Sequence, residues 1–217
     1  MKTLIAIPCM DTMPLGFVQS LLHLRKGENV SVAFHANSLV YDSRNLLSLT
    51  AIEHGFDRVM WFDSDMMFTP ETLQILQDDM SDLECDMVTG LYFKRKKHSM
   101  PVIYSELELP GTDDNGMPVK HITEYTDYPR DRTFPVRGCG FGCVLTSVKL
   151  LKEVWDKYGP AFAPFPWAGE DIAFCYRVNQ LGHQIYCDSR VTCGHIGTFV
   201  FTEDYYNRME VMNSEKH

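Results

Sequence analysis

This sequence has no apolar run that approaches the ~18–20 residues needed to cross a bilayer; the longest nearly unbroken ones lie at residues 4–7 and 59–62. A membrane-spanning chain is therefore excluded. Positive charge is also short: 20 Lys and Arg face 29 Asp and Glu, for a net charge of −9. That sign opposes holding a polyanion by counterion release, so broad nucleic-acid binding is excluded too. No CxxC pair occurs among the seven cysteines. The odd count, with most of them inside apolar segments, reads as reduced, buried thiols. The apolar stretch after Met1 is shorter than the ~7–15 residues of a secretory signal core, so a cytoplasmic protein is expected. Internal repeats, low-complexity tracts and linkers are absent. What is present, 45% apolar and 23% charged residues over 217 positions, is the composition of one globular domain able to bury a core.

Strands and helices alternate in the first half. Leu4-Ile5-Ala6-Ile7, closed by Pro8, reads as a buried strand. Pro14 to Lys26 carries Phe17, Val18, Leu21, Leu22 and Leu24 at helical spacing, with Gly27 past its end. Asn29 to His35 alternates as a strand, Ser43 to His54 is a helix stopped by Gly55, and Asp57 to Phe62 is a third strand. A βαβαβ order needs crossover helices and a mainly parallel sheet, with ligand-binding loops at the carboxyl ends of its strands. A helix at Pro70 to Met80 and a strand at Asp86 to Phe93 follow. From there short strands at residues 101–104, 119–125 and 134–137, separated by turns such as Asp113-Asp114-Asn115-Gly116, predict antiparallel additions. Helices at Ser147 to Tyr158 and Glu170 to Leu181, a strand at Gln184 to Cys187, and a last helix at residues 203–212 complete the reading.

Chemistry concentrates in a few places. Trp61-Phe62-Asp63-Ser64-Asp65 ends the third strand with two carboxylates. Burying both is costly unless a cation or several donors compensate them, which places them at the strand's open end. Hard oxygen ligands of this kind suit Mg²⁺ or Mn²⁺ shared with a substrate's phosphates; the plain alternative is a cap for the helix at Pro70. Gly169-Glu170-Asp171 opens an amphipathic helix, where acids are also simple N-terminal caps. The helix dipole is expected to lower the Asp171 pKa. His195 stands between Gly194 and Gly197 beyond a strand, a ligand or an ordinary packed histidine. Gly138, Gly140 and Gly142 permit close approach of a ligand to the backbone, or serve as bulges and turns. Lys94-Arg95-Lys96-Lys97-His98 is the one basic cluster, a solvated loop or an anchor for an anion. Phe162, Phe165 and Trp167 offer rings for packing or for stacking on a sugar.

In this order and spacing these elements resemble the GT-A-fold glycosyltransferases, particularly family 2, from about residue 3 to residue 197. The resemblance rests on Ile5-Ala6-Ile7-Pro8 as first nucleotide-binding strand, Ser43-Arg44-Asn45, the DxD motif Asp63-Ser64-Asp65, the glycine-rich strand Gly138 to Gly142, the ED motif Glu170-Asp171, and His195-Ile196-Gly197. It implies a Rossmann-like α/β/α sandwich and one GT-A domain: a nucleotide-binding half at residues 1–95, an acceptor and metal half at 96–200, and a tail at 201–217. It further implies Mn²⁺ or Mg²⁺ on Asp63, Asp65 and His195, and a UDP- or GDP-type sugar donor contacted by Pro8, Arg44, Asp63, Asp65, Gly140 and Trp167. Arg44, at a helix start capped by Ser43, would lie near the nucleobase or diphosphate. Asp171 would be the general base of an inverting transfer, with Glu170 orienting a substrate. The acceptor is left open among glycan, lipid, protein and modified base, as is a homodimer. His35-Ala36-Asn37 stands where the family often has an acid that reads uracil. A HAD-type phosphatase also uses DxD, but it usually has Thr or Val where Met67 stands and places that strand first; a catalytically silent nucleotide-sugar-binding module is the other alternative.

Overall fold

The computed structural model of the protein describes residues 1–96, 99–112, 118–166, 168–197 and 200–207. Its first elements follow the alternation of the sequence: β1 (Thr3–Cys9), α1 (Leu15–His23), β2 (Val30–Ala36), α2 (Val40–Glu53) and β3 (Arg58–Phe62). β1 pairs in parallel with both β2 and β3. Because successive strand residues point to opposite faces, Ile5, Ile7, Met60 and Phe62 pack on one side with Phe17 of α1 and with Leu73, Leu76 and Met80 of α3 (Thr72–Asp82). Leu4, Ala6, Val59 and Trp61 pack on the other side against Leu47 and Ala51 of α2, Leu150, Leu151 and Val154 of α4 (Val148–Tyr158), and Phe174 and Val178 of α5 (Glu170–Gln180). The result is a three-layer α/β/α sandwich.

With β5 (Met87–Leu91), β8 (Thr133–Val136), β10 (Cys143–Ser147) and β11 (Ile185–Thr192), the central sheet has seven strands in the order β2-β1-β3-β10-β5-β11-β8. β2, β1, β3, β5 and β11 run one way; β10 and β8 oppose their neighbours. The mainly parallel sheet with antiparallel additions is thus the observed one. β10 itself was not foreseen. Its apolar run is short and is followed at once by a helix, since Ser147 ends the strand while its Oγ accepts from the Leu150 N–H at 3.0 Å to cap α4. No turn residue separates the two, so periodicity alone hid the strand.

Two small sheets complete the described fold. β6 (Ile103–Thr112) pairs with β7 (Pro118–Glu124) and with β9 (Gly138–Cys139). β12 (Gly194–Ile196) lies between β4 (Met66–Met67) and β13 (Val200–Phe201). The expected turn at Asp113 to Gly116 and the end of the expected helix at 203–212 lie outside the described residues, although 203–207 are helical. Gly55 and Gly182, with φ of +63° and +85°, end α2 and α5 as expected. α1 stops at His23, short of the predicted Lys26, and α2 starts at Val40, before the predicted Ser43. All seven cysteines are free, and Cys139, Cys143, Cys175, Cys187 and Cys193 are buried. No helix among the described residues is long and apolar enough to cross a membrane.

Candidate active site

At the carboxyl ends of β1 and β3, where an open α/β sheet offers its ligand crevice, lies a cleft of about 530 Å³. Pro8, Cys9 and Met10 line it from the end of β1, Ser38 and Leu39 from the loop before α2, Val40, Ser43 and Arg44 from α2, Asp63 to Asp65 from the end of β3, and Arg95, Glu170 and His195 complete its wall. Pro8, Arg44, Asp63, Asp65, Glu170 and His195, distant in sequence, therefore share one cleft.

The two aspartates of DxD turn to different partners. Asp63 turns to a buried arginine: its Oδ1 accepts from Arg44 Nη2 at 2.7 Å, and Arg44 Nε reaches Glu170 Oε1 at 3.4 Å. Arg44 is only 2% exposed and lies within about 6 Å of the rings of Trp61, Phe141 and Phe162. Its Nη1 is buried without a hydrogen-bond partner. This corrects the expectation that Ser43 caps the helix start beside Arg44. α2 begins at Val40, so Ser43 is interior; its Oγ lies 3.0 Å from His35 Nδ1 instead of capping. Arg44 is then the clasp that ties β3 to α5 while still lining the cleft.

Asp65 turns to the opposite wall of the cleft, and the fold brings His195 to it. β4 continues directly from Asp65, and its partner β12 sets His195 opposite Met66 while Ile196 N–H donates to the Asp65 carbonyl at 2.8 Å. His195 Nδ1 is 2.8 Å from the Phe93 carbonyl oxygen, which can only accept. Nδ1 thus carries a proton, and whenever the ring is neutral Nε2 presents its lone pair. That lone pair is 3.6 Å from Asp65 Oδ1, itself buried and without a hydrogen-bond partner. Two acceptors facing each other across this gap leave room for a cation touching both, and a second-sphere carbonyl that fixes the imidazole is typical of metal-binding histidines. Mn²⁺ or Mg²⁺ fits this donor set. Among the described residues no three His, Cys, Asp or Glu side chains converge as a self-sufficient metal cage, so substrate oxygens and water would supply the remaining ligands. Burial works to raise the Asp65 pKa, but His195, when protonated, and Arg95 outweigh it and hold the carboxyl below its ordinary value.

Asp171 lies beside the cleft without lining it. Its Oδ1 accepts from the Ile172 N–H at 2.7 Å. Burial, reinforced by Glu170, pushes its pKa up to about 6. The expected lowering by the helix dipole is corrected here: desolvation and neighbouring negative charge are the larger influences. Gly140 is also off the cleft wall. A Cβ there would come within 2.1 Å of the Tyr92 hydroxyl oxygen, which accepts from the Gly142 N–H at 3.1 Å. The Tyr92 ring in turn meets the His195 ring edge-on, with centroids 5.4 Å apart. The glycine-rich run thus makes room for the tyrosine that packs against His195. Trp167, Lys97 and His98 lie outside the described residues.

The sequence places Arg95 in a basic cluster read as a solvated loop or an anchor for an anion, without distinguishing it from its neighbours. In the structure Lys94 pairs with Glu124, whereas Arg95 Nη1 sits 2.8 Å from Asp65 Oδ2 and donates to the Ile196 carbonyl at 3.0 Å. The basic run was the available signal, but nothing in it singled out this residue. Ser38 to Val40 were missed for want of any chemical signature.

No family model and no curated protein sequence matches the chain. Among solved structures, one similar to it is "Crystal Structure of A197 from STIV", at 18% identity and a TM-score of 0.66, covering 91% of this chain and 86% of that one. Another is "Crystal structure of GalNAc-T7 with UDP, GalNAc and Mn2+", at 10% identity and a TM-score of 0.58. The fold is GT-A-like. The match covers 90% of this chain but only 44% of the GalNAc-T7 chain, so this chain spans less than half the length of that one.

Proposed function

We propose that the protein is a metal-dependent glycosyltransferase that moves a sugar from a UDP- or GDP-type donor to an acceptor hydroxyl or amine. One observation carries this reading: in a GT-A-like fold, the unpartnered Oδ1 of Asp65 faces the Nε2 lone pair of His195 at the mouth of the β1/β3 crevice. The neighbour solved with UDP, GalNAc and Mn2+ lends the donor and metal their chemical class. Asp65 and His195 would hold Mn²⁺ or Mg²⁺, which when bound offsets the charge of the leaving diphosphate. Pro8 and residues 38–40 border the donor, and Arg44 fixes Asp63 and Glu170 in the floor of the cleft.

For a hydroxyl acceptor, Asp171 is the general base. As the acceptor oxygen bonds to the anomeric carbon, its proton passes to the Asp171 carboxylate, and the bond from that carbon to the diphosphate breaks with its electron pair on the departing oxygen. Attack opposite the leaving group inverts the anomeric configuration. A carboxyl with a pKa of about 6 is ionised at neutral pH yet basic enough to take a proton in the transition state. Glu170 is the competitor, and its Oε1 is drawn towards the Arg44 guanidinium.

Nucleotide-sugar hydrolysis screened donor by donor in Mn²⁺ tests the reading without knowledge of the acceptor. Turnover of at least one donor, lost in EDTA, is expected, and Asp171→Asn should lower kcat by roughly 10²–10⁴-fold with donor affinity retained. Near-normal turnover in Asp171→Asn would remove its role. An anomeric configuration retained by NMR would do the same. Binding of a nucleotide sugar with no turnover across donors and acceptors marks the silent module instead.

A further inference from the structure

Arg95 occupies the place a cation would take beside Asp65. Its Nη1 lies 2.8 Å from Asp65 Oδ2 and 3.0 Å from the carbonyl oxygen of Ile196, the residue after His195. The guanidinium therefore bridges the two chain segments that carry the metal-site donors. It neutralises one carboxylate oxygen while the other, Oδ1, is left without a hydrogen bond. Its side chain is 45% exposed, so no packing locks it there, and it lines the same cleft as Pro8, Arg44 and Asp63.

A guanidinium and a divalent ion cannot both sit against one carboxylate without strong like-charge repulsion. An anionic diphosphate entering the cleft offers Arg95 a richer set of acceptor oxygens than Asp65 alone. We propose that Arg95 is the resident counter-cation of Asp65: it competes with free metal for that carboxylate, and it transfers to the diphosphate oxygens of an incoming nucleoside diphosphate, freeing Asp65 for the metal. The inference rests on the metal site of the reading above and deepens it, because it makes metal entry conditional on the anion. No bond is made or broken; one charged side chain exchanges a carboxylate for a diphosphate.

Opposite changes in two affinities distinguish this from a merely structural role. Mn²⁺ binding is measured without nucleotide, by the electron paramagnetic resonance of free Mn²⁺, on the wild type and on Arg95→Gln. UDP and GDP binding is then measured by calorimetry in EDTA on the same proteins. Arg95→Gln should bind Mn²⁺ about two- to fivefold more tightly and bind its better nucleotide about two- to fivefold more weakly, the range of a half-exposed ion pair. Arg95→Lys, which keeps the charge, should stay within about twofold of wild type for Mn²⁺. An unchanged or weaker Mn²⁺ affinity in Arg95→Gln overturns the proposal, as does an unchanged nucleotide affinity in EDTA. If the wild type binds no Mn²⁺ even with UDP or GDP present, the metal site itself falls and this proposal with it. Binding with equal affinities in wild type and Arg95→Gln overturns only the role of Arg95.

Discussion

The two sides of the cleft solve the same electrostatic problem in opposite ways. On the floor, Asp63 and Glu170 converge on a guanidinium that is 2% exposed and walled by three aromatic rings. On the rim, two residues further along the chain, Asp65 has a 45% exposed arginine on one oxygen and no hydrogen bond on the other. The cation of the floor is buried and held by two carboxylates, whereas that of the rim is half-exposed and can leave. A carboxylate pair that looks symmetrical in sequence is thus divided, one member for the fold and one for a ligand.

The sharpest way to break that contrast is to remove the clasp. Arg44→Ala leaves two carboxylates facing each other without their cation and opens space among the rings, and should cost about 3 kcal/mol or more of unfolding free energy in denaturant titration. Arg44→Lys should also destabilise, since one ammonium cannot span both carboxylates as the planar fork does. An unchanged melting temperature for Arg44→Ala would make the floor as dispensable as the rim.

A smaller effect is expected from pH. Asp171 and Asp79 both have pKa values pushed up to about 6, Asp171 by burial and Glu170, and Asp79 by burial and its neighbour Asp188. For a carboxyl whose folded pKa exceeds its unfolded value near 4, the folded state binds the proton more tightly. The stabilisation is full below the unfolded value and is lost as pH rises through about 6. The protein should therefore melt at a higher temperature near pH 5 than near pH 7.5, by an amount on the order of 1–2 kcal/mol. Asp65, held below its ordinary pKa, contributes in the other direction and only at more acidic pH. Asp171→Asn should flatten the rise between pH 7.5 and 5; an identical profile in the variant would contradict the placement of this carboxyl in a desolvating site.

Smallest of all should be the stability change on the rim. Asp65→Asn removes a half-exposed ion pair, so it should move the metal-free stability by less than about 1 kcal/mol. A loss as large as that of Arg44→Ala would show that the rim is structural after all.

Much of this was legible in the residues. The apolar runs Leu4 to Ile7 and Val59 to Phe62, with helices and a further strand between them, led to the parallel half of the sheet, and the order of the motifs led to the cleft. β10 was not legible, because a short buried run ending in a helix cap carries no turn signal. Neither was the division between Asp63 and Asp65. It depends on which way each side chain leaves the end of β3, and on a cross-strand pairing of Met66 with His195 over more than a hundred residues. Arg44 was misjudged for a related reason. Its helix was expected to start at Ser43, and nothing in the sequence marks a charged residue there as buried; only the packing of Trp61, Phe141 and Phe162 around it shows that. Gly140 was assigned to the donor because its lack of a side chain permits close approach, but the close neighbour is Tyr92.

The most direct test of the central claim is calorimetry of UDP and GDP binding with Mn²⁺ and with EDTA, on wild type, Asp65→Asn and His195→Ala. The wild type should bind one of the nucleotides at least about tenfold more tightly with Mn²⁺ than with EDTA, and either substitution should erase that difference, as expected when a metal ligand is lost. Equal affinity with and without Mn²⁺ in the wild type, or a full Mn²⁺ effect surviving in His195→Ala, would contradict the metal site on which the proposed transfer depends.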